Sequence, residues 1–185
     1  MRFFAGILLL LMMACSGGSS SPKTSSTQVP THAPRAATTS TAPALVGVPP
    51  IGSRRMEGGC GTTEVYKGGV LPDWANVNAP QFLPYVVATP GLAVGYIFSY
   101  PLKAGPDANT KVLWYVGTPR GGSPLIAQGH PLGSTEPIAR FSKAADSYPG
   151  EIYPTGPTVP SAGCWHFTLT WHDGDQRADI DLLFN

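Results

Sequence analysis

The fold class this sequence predicts is an all-β sandwich, over about residues 57–185. Glycine and proline recur every several residues there and leave no room for a long helix. The apolar runs between them are short and rich in Val, Ile, Phe, Tyr and Trp, which is strand composition. The last stretch alternates apolar and polar residues with period two around a turn dipeptide, the mark of a half-buried hairpin.

The chain of 185 residues opens with Arg2 and then an apolar run over residues 3–14. That run is too short for a bilayer span, which needs about 20 residues, and has the form of an export signal. Leu11-Met12-Met13-Ala14-Cys15 resembles the lipobox of bacterial lipoproteins, with Ala14 and Cys15 at its two most constrained positions. The resemblance implies cleavage of the signal peptide 1–14 and a diacylglycerol on Cys15. The protein is then exported and lipid-anchored to the cell membrane or envelope, facing outward. Ala14-Cys15-Ser16 also satisfies the small-x-small rule of ordinary secretion, which would cut before Gly17 and discard Cys15.

Residues 15–56 form the second expected segment, the lipidated cysteine and a tether rich in Ser, Thr, Pro, Ala and Gly. Almost no large apolar side chain precedes Leu45, so the stretch cannot bury enough surface to offset its ordering entropy. Pro22, Pro30, Pro34, Pro43, Pro49 and Pro50 stiffen it toward extended conformations. A disordered spacer is expected, with Arg54-Arg55 a solvated boundary.

The domain 57–185 follows. Its expected strands are 62–67, 83–88, 92–100, 110–117, 124–128, 136–142, 149–153, 163–172 and 175–184, with room for a helical turn over 141–146. The final hairpin is the most fully specified. Odd positions of Trp165–Trp171 are large and apolar, and even positions of Ala178–Phe184 are apolar. Asp173-Gly174 is a favoured type I′ dipeptide. A two-residue turn there pairs His172 with Asp175, Leu169 with Ala178, Phe167 with Ile180 and Trp165 with Leu182. The opposite face then pairs Thr168 with Asp179 and His166 with Asp181. A slip of one residue would break both pattern and turn.

Three cysteines leave Cys60 and Cys164 once Cys15 is lipidated. They can form one disulfide, reasonable in an exported chain, and the alternative is two free thiols. Pro160-Ser161-Ala162-Gly163-Cys164-Trp165 resembles a signature of exported bacterial proteins and lipoproteins with no established activity. There it leads into the penultimate strand of an immunoglobulin-like β-sandwich. The resemblance implies an immunoglobulin-like antiparallel β-sandwich, with Cys60 bonded to Cys164. It implies no activity, and fold alone does not give one.

Net charge is +1 and no basic patch stands out, which argues against nucleic acid. Of the histidines in the domain, His166 and His172 sit six residues apart, ~20 Å along a strand, and cannot share one metal. Asp173, Asp175, Asp179 and Asp181 lack the EF-hand spacing. No Gly-x-Ser-x-Gly elbow and no Gly-rich loop before a helix occurs in the domain. No catalytic residue, metal ligand or cofactor is therefore assigned. The candidate binding residues are aromatics: Trp74, Trp114, Tyr115, Tyr148 and Tyr153. Trp114 and Tyr115 are neighbours on one strand, so they point to opposite faces and one can be exposed. Packing under loops is the plainer reading of them all.

The expected function is a membrane-anchored, non-catalytic binding module for an envelope protein or glycan. The alternatives are a hydrolase whose site the sequence does not display and a purely structural envelope component. An exposed aromatic strip would favour binding, a buried His/Asp pair touching a Ser would favour the enzyme, and a featureless surface would favour the structural role.

Overall fold

The computed structural model describes residues 49–185. The signal segment 1–14, Cys15 and the tether as far as residue 48 lie outside the described residues. Ten strands form two antiparallel sheets. One sheet is ordered β1 (Arg54–Cys60), β2 (Thr63–Lys67), β3 (Pro84–Ala88), β4 (Ala93–Ile97), β5 (Val112–Val116), β8 (Ile152–Thr155). The other is ordered β10 (Gln176–Phe184), β9 (Gly163–Trp171), β6 (Leu125–Pro131), β7 (Ala139–Lys143). The domain is a β-sandwich, as the composition predicts. Each expected strand is present, with ends shifted by a few residues.

Three local features differ from expectation. β1 starts at Arg54, ahead of residue 57, so Arg54 and Arg55 are strand residues opposite Lys67 and Tyr66. Arg-Arg-Met-Glu-Gly-Gly shows no period-two pattern. It is a strand because β2 supplies hydrogen bonds and Met56 packs on the core. The stretch 141–146 holds no helical turn; β7 runs to Lys143, whose ammonium then meets Asp146 at 2.8 Å. The 3₁₀ turns lie elsewhere, at Asp73–Ala75 and at His172–Gly174.

Trp114, Trp165, Trp171, Phe167, Phe184 and Tyr153 are the bulk of the core between the sheets. Two strand glycines make room for them. Gly95 lies opposite Trp114, and a Cβ there would come within 2.6 Å of the indole. Gly129 lies opposite Phe167, whose ring a Cβ would strike. A glycine inside a strand marks such a close approach.

The hairpin register is the expected one: Ala178 pairs with Leu169, Ile180 with Phe167 and Leu182 with Trp165. Asp173 has φ 54° and ψ 25°, Gly174 has φ 92°, and the Asp175 N–H donates to His172 O at 3.0 Å. Asp173 and Gly174 have type I′ signs, but His172 (φ 53°) and Asp175 (φ −69°, ψ −21°) also leave the strands, so four residues connect Trp171 to Gln176 where two were expected and His172 does not pair with Asp175. The disulfide between Cys60 and Cys164 is present and joins β1 of one sheet to β9 of the other. The open edge of β10 is closed in part from the first sheet. Thr89 and Asp179 exchange backbone hydrogen bonds at 2.8 Å, and the Asp181 N–H donates to Thr63 Oγ1 at 2.9 Å.

The six-stranded sheet is covered on both faces. Its outer face carries Tyr66, Tyr85, Tyr96 and Tyr115, whose successive ring centroids are 5.6–5.9 Å apart. Leu71, Trp74, Ala75, Ala79 and Leu83, from the β2–β3 connection, pack on that ladder. Tyr96 donates to Ala75 O and Tyr115 to Val77 O, so the phenols tie the covering segment down. Burial raises both phenol pKa values, that of Tyr115 directionally and that of Tyr96 well beyond the ordinary range, with neighbouring Tyr115 and Tyr85 adding to the latter.

Candidate functional site

The tyrosine ladder corrects the aromatic assignment. Trp114 and Tyr115 do point to opposite faces of β5, but both faces are covered and both residues are buried. Tyr153 is buried beside Trp114, its hydroxyl donating to Ser123 O at 2.8 Å. These three present no ring to a ligand. Trp74 is half-buried in the covering segment. Only Tyr148 is freely exposed, at 78 %. It lies over the Arg120 guanidinium, 5.5 Å from ring centroid to Cζ, while Tyr153 lies 5.4 Å away. Arg120 is itself buried, bonding Glu151 at 3.0 Å and the carbonyls of Ser147 and Ile152. That cluster braces the β5–β6 and β7–β8 loops, and Tyr148 caps it.

Among the described residues, the open surface of the sandwich is the outer face of the four-stranded sheet. Period two sends Leu125, Ala127 and Gly129 of β6 inward and Ile126, Gln128 and His130 outward. The same parity sends His166, Thr168 and Thr170 of β9 outward, with Arg140 and Ser142 of β7 and Arg177 and Asp179 of β10. The registers line these up in three rows: Arg177–Thr170–Ile126–Ser142, Asp179–Thr168–Gln128–Arg140, and Asp181–His166–His130. Gln128, Arg140 and Ser142 make no side-chain hydrogen bond among the described residues, so their polar groups face solvent.

Two carboxylates order this face. Asp179 Oδ1 accepts from Thr168 Oγ1 at 2.7 Å and from Arg177 Nη2 at 3.0 Å. Burial pushes its pKa up, but those bonds and the nearby His166 outweigh it and hold the carboxyl below its ordinary value. Asp181, only 4 % exposed, accepts from the Thr62 N–H at 2.8 Å, the Thr62 hydroxyl at 3.1 Å and His166 Nδ1 at 2.8 Å. Burial again acts upward and the bonds prevail, leaving the carboxyl lowered.

His166 and Asp181 thus form the cross-strand pair the hairpin register requires. The hydroxyl that touches them is that of Thr62, and it donates to the carboxylate, not to the imidazole. Nucleophile activation needs the hydroxyl on the imidazole. At the turn, Ser123 Oγ donates to Asp173 at 2.8 Å and accepts the Asp173 N–H at 3.1 Å, while His172 Nδ1 faces Pro119 O. Asp173, Asp179 and Asp181 therefore each hold a local partner, whereas the Asp175 side chain makes no hydrogen bond among the described residues.

His130, Gln128 and Arg140 are the residues sequence reasoning did not assemble. The expected strand 124–128 stopped short of His130, and no short-range signal sets β6 beside β9. The signal that was available is the alternation Leu125-Ile126-Ala127-Gln128-Gly129-His130, which puts these side chains on one face. Comparison with protein-family models, with curated proteins and with solved structures finds no match to this chain.

Proposed function

We propose that the protein is an exported lipoprotein, anchored to the membrane through Cys15, whose sandwich is a non-catalytic binding module for an envelope protein. The observation that carries the reading is the polar face of the four-stranded sheet, which no described residue covers, beside a sheet covered on both sides. A flat array of hydrogen-bonding side chains around Ile126, 50 % exposed, has the mixed polarity of a non-obligate protein interface. Stacking on sugar rings has less support, because Trp114, Tyr115 and Tyr153 are buried. The lipobox resemblance supports the anchor, and the Gly163-Cys164-Trp165 signature supports kinship with exported domains of that kind.

A photo-crosslinking residue placed at Gln128 in cells tests the reading. The expected result is one discrete adduct that is lost on Arg140→Glu and kept when Ile51 or Val70, exposed residues flanking β1 and β2 of the six-stranded sheet, is changed to Ser. An adduct indifferent to Arg140→Glu overturns the face as the binding surface, and an adduct with glycan in place of protein overturns the partner class. In the same cells the natural protein should take up radiolabelled fatty acid, and Cys15→Ala should take up none, since no sulfur remains to carry the lipid. Label on Cys15→Ala, or none on the natural protein, refutes the anchor.

A further inference from the structure

The third row of the open face sets two imidazoles side by side. His130 of β6 is directly paired with His166 of β9, with ring centroids 5.5 Å apart and planes inclined by 40°. Nδ1 of His130 lies 3.1 Å from Pro131 O, and Nδ1 of His166 lies 2.8 Å from the Asp181 carboxylate. A carbonyl oxygen and an ionised carboxylate are acceptors only, so each neutral ring carries its proton on Nδ1 and leaves its lone pair on Nε2. A carboxylate or backbone carbonyl behind Nδ1 is the support found behind metal-binding histidines, where it fixes the tautomer and raises ligand basicity.

The spacing agrees. Two imidazoles bound to one tetrahedral ion by bonds of about 2.1 Å, with about 1.2 Å from nitrogen to ring centre, have centroids about 5.4 Å apart. Asp179 Oδ1 lies 3.8 Å from His166 Nε2 but is held by Thr168 and Arg177, so it lends nearby negative charge and is not counted as a ligand. Among the described residues no three His, Cys, Asp or Glu side chains stand together as a ready metal cage. A site here is therefore an open one, with two protein nitrogens and water in the remaining positions.

We propose that His130 and His166 chelate a divalent transition ion of the zinc–copper class on the sheet surface, with Asp181 orienting His166 from behind. Imidazole suits both ions, and any such nitrogen site prefers Cu²⁺ to Zn²⁺. The site does not depend on the protein-partner reading, and the two fail separately, since metal binding is read without any partner.

The test is titration of the full chain, disulfide intact, with Zn²⁺ and separately with Cu²⁺, followed by calorimetry and, for Cu²⁺, electron paramagnetic resonance. The expected result is one saturable equivalent, tighter for Cu²⁺, whose spectrum shows two imidazole nitrogens. His130→Gln and His166→Gln should each weaken it about tenfold or more, whereas His32→Gln and His172→Gln should leave it unchanged. His166→Gln also removes a hydrogen bond to the buried Asp181, whereas His130 meets only the Pro131 carbonyl, so the metal-free melting temperature is measured for each variant and His130→Gln carries the test if His166→Gln is destabilised. Absence of saturable binding below about 1 mM overturns the site, as does affinity unchanged in both His130→Gln and His166→Gln.

Discussion

At the scale of single residues, Asp181 ties the two sheets together. It is a carboxylate on the outward parity of β10, yet it is buried under the β1–β2 turn and receives three hydrogen bonds from Thr62 and His166. Gly61 is part of the same fit, since a Cβ there would strike the carboxylate. Truncation to Ala would leave the Thr62 N–H and the imidazole without their acceptor, so Asp181→Ala should cost about 3 kcal/mol of stability. The pH dependence follows from the lowered carboxyl. A group held below its unfolded value stabilises the fold fully above that value, about 3.9, and the contribution is lost as pH falls through the folded value. Asp181→Asn should therefore be less stable than the natural protein at pH 7, and the gap should narrow on acidification below about pH 4. Urea melts at pH 7 and pH 3 measure it; a gap that stays constant would mean the carboxylate's charge is not what holds the turn.

The hairpin shows best what was legible at the scale of elements. Its register and its two faces could be read because apolar alternation and Asp173-Gly174 are local and agree with each other; the turn itself is two residues longer than expected, since His172 and Asp175 also leave the strands. β1 was not legible, because Arg-Arg-Met-Glu-Gly-Gly becomes a strand only once β2 is beside it. The site shared that fate. His166 opposite Asp181 follows from the hairpin alone, whereas His130 opposite His166 depends on β6 crossing to β9 over a long chain separation, which no local pattern encodes. Trp114 and Tyr115 misled for a related reason: period two separates their faces, but only the packing of Leu71, Trp74 and Ala75 covers the outer one. The turn gives the matching prediction. Gly174 holds φ 92°, where an L side chain is strained. Gly174→Ala should lower stability by about 1–2 kcal/mol. Chemical denaturation should show a lower midpoint at unchanged slope, and an unchanged midpoint would contradict the turn geometry.

For the whole molecule the question is what joins the two sheets. The core of three buried tryptophans supplies the adhesion, but it is non-directional, and two sheets with apolar inner faces can slide. Three connections fix them at one corner: the Cys60–Cys164 bond, the Thr62–Asp181 hydrogen bonds and the Asp181–Thr63 bond. Two of these rest on residues next to Cys60, so the disulfide also holds the β1–β2 turn over Asp181. It closes a loop across a sequence separation of 104 residues. The chain-entropy model gives about 4.7 kcal/mol for a loop of that order, and measured losses run at 2–5. Cys60→Ala with Cys164→Ala should therefore lower stability by about 3 kcal/mol and the melting temperature by about 10 °C. Combined with Asp181→Ala, the loss should differ from the sum of the separate losses, because the two sites act on one turn and neighbouring sites couple. A double-mutant cycle between the cysteine pair and Asp181 measures that coupling. Strict additivity would mean that the covalent and polar connections hold the sheets independently, and that the corner is not a single joint.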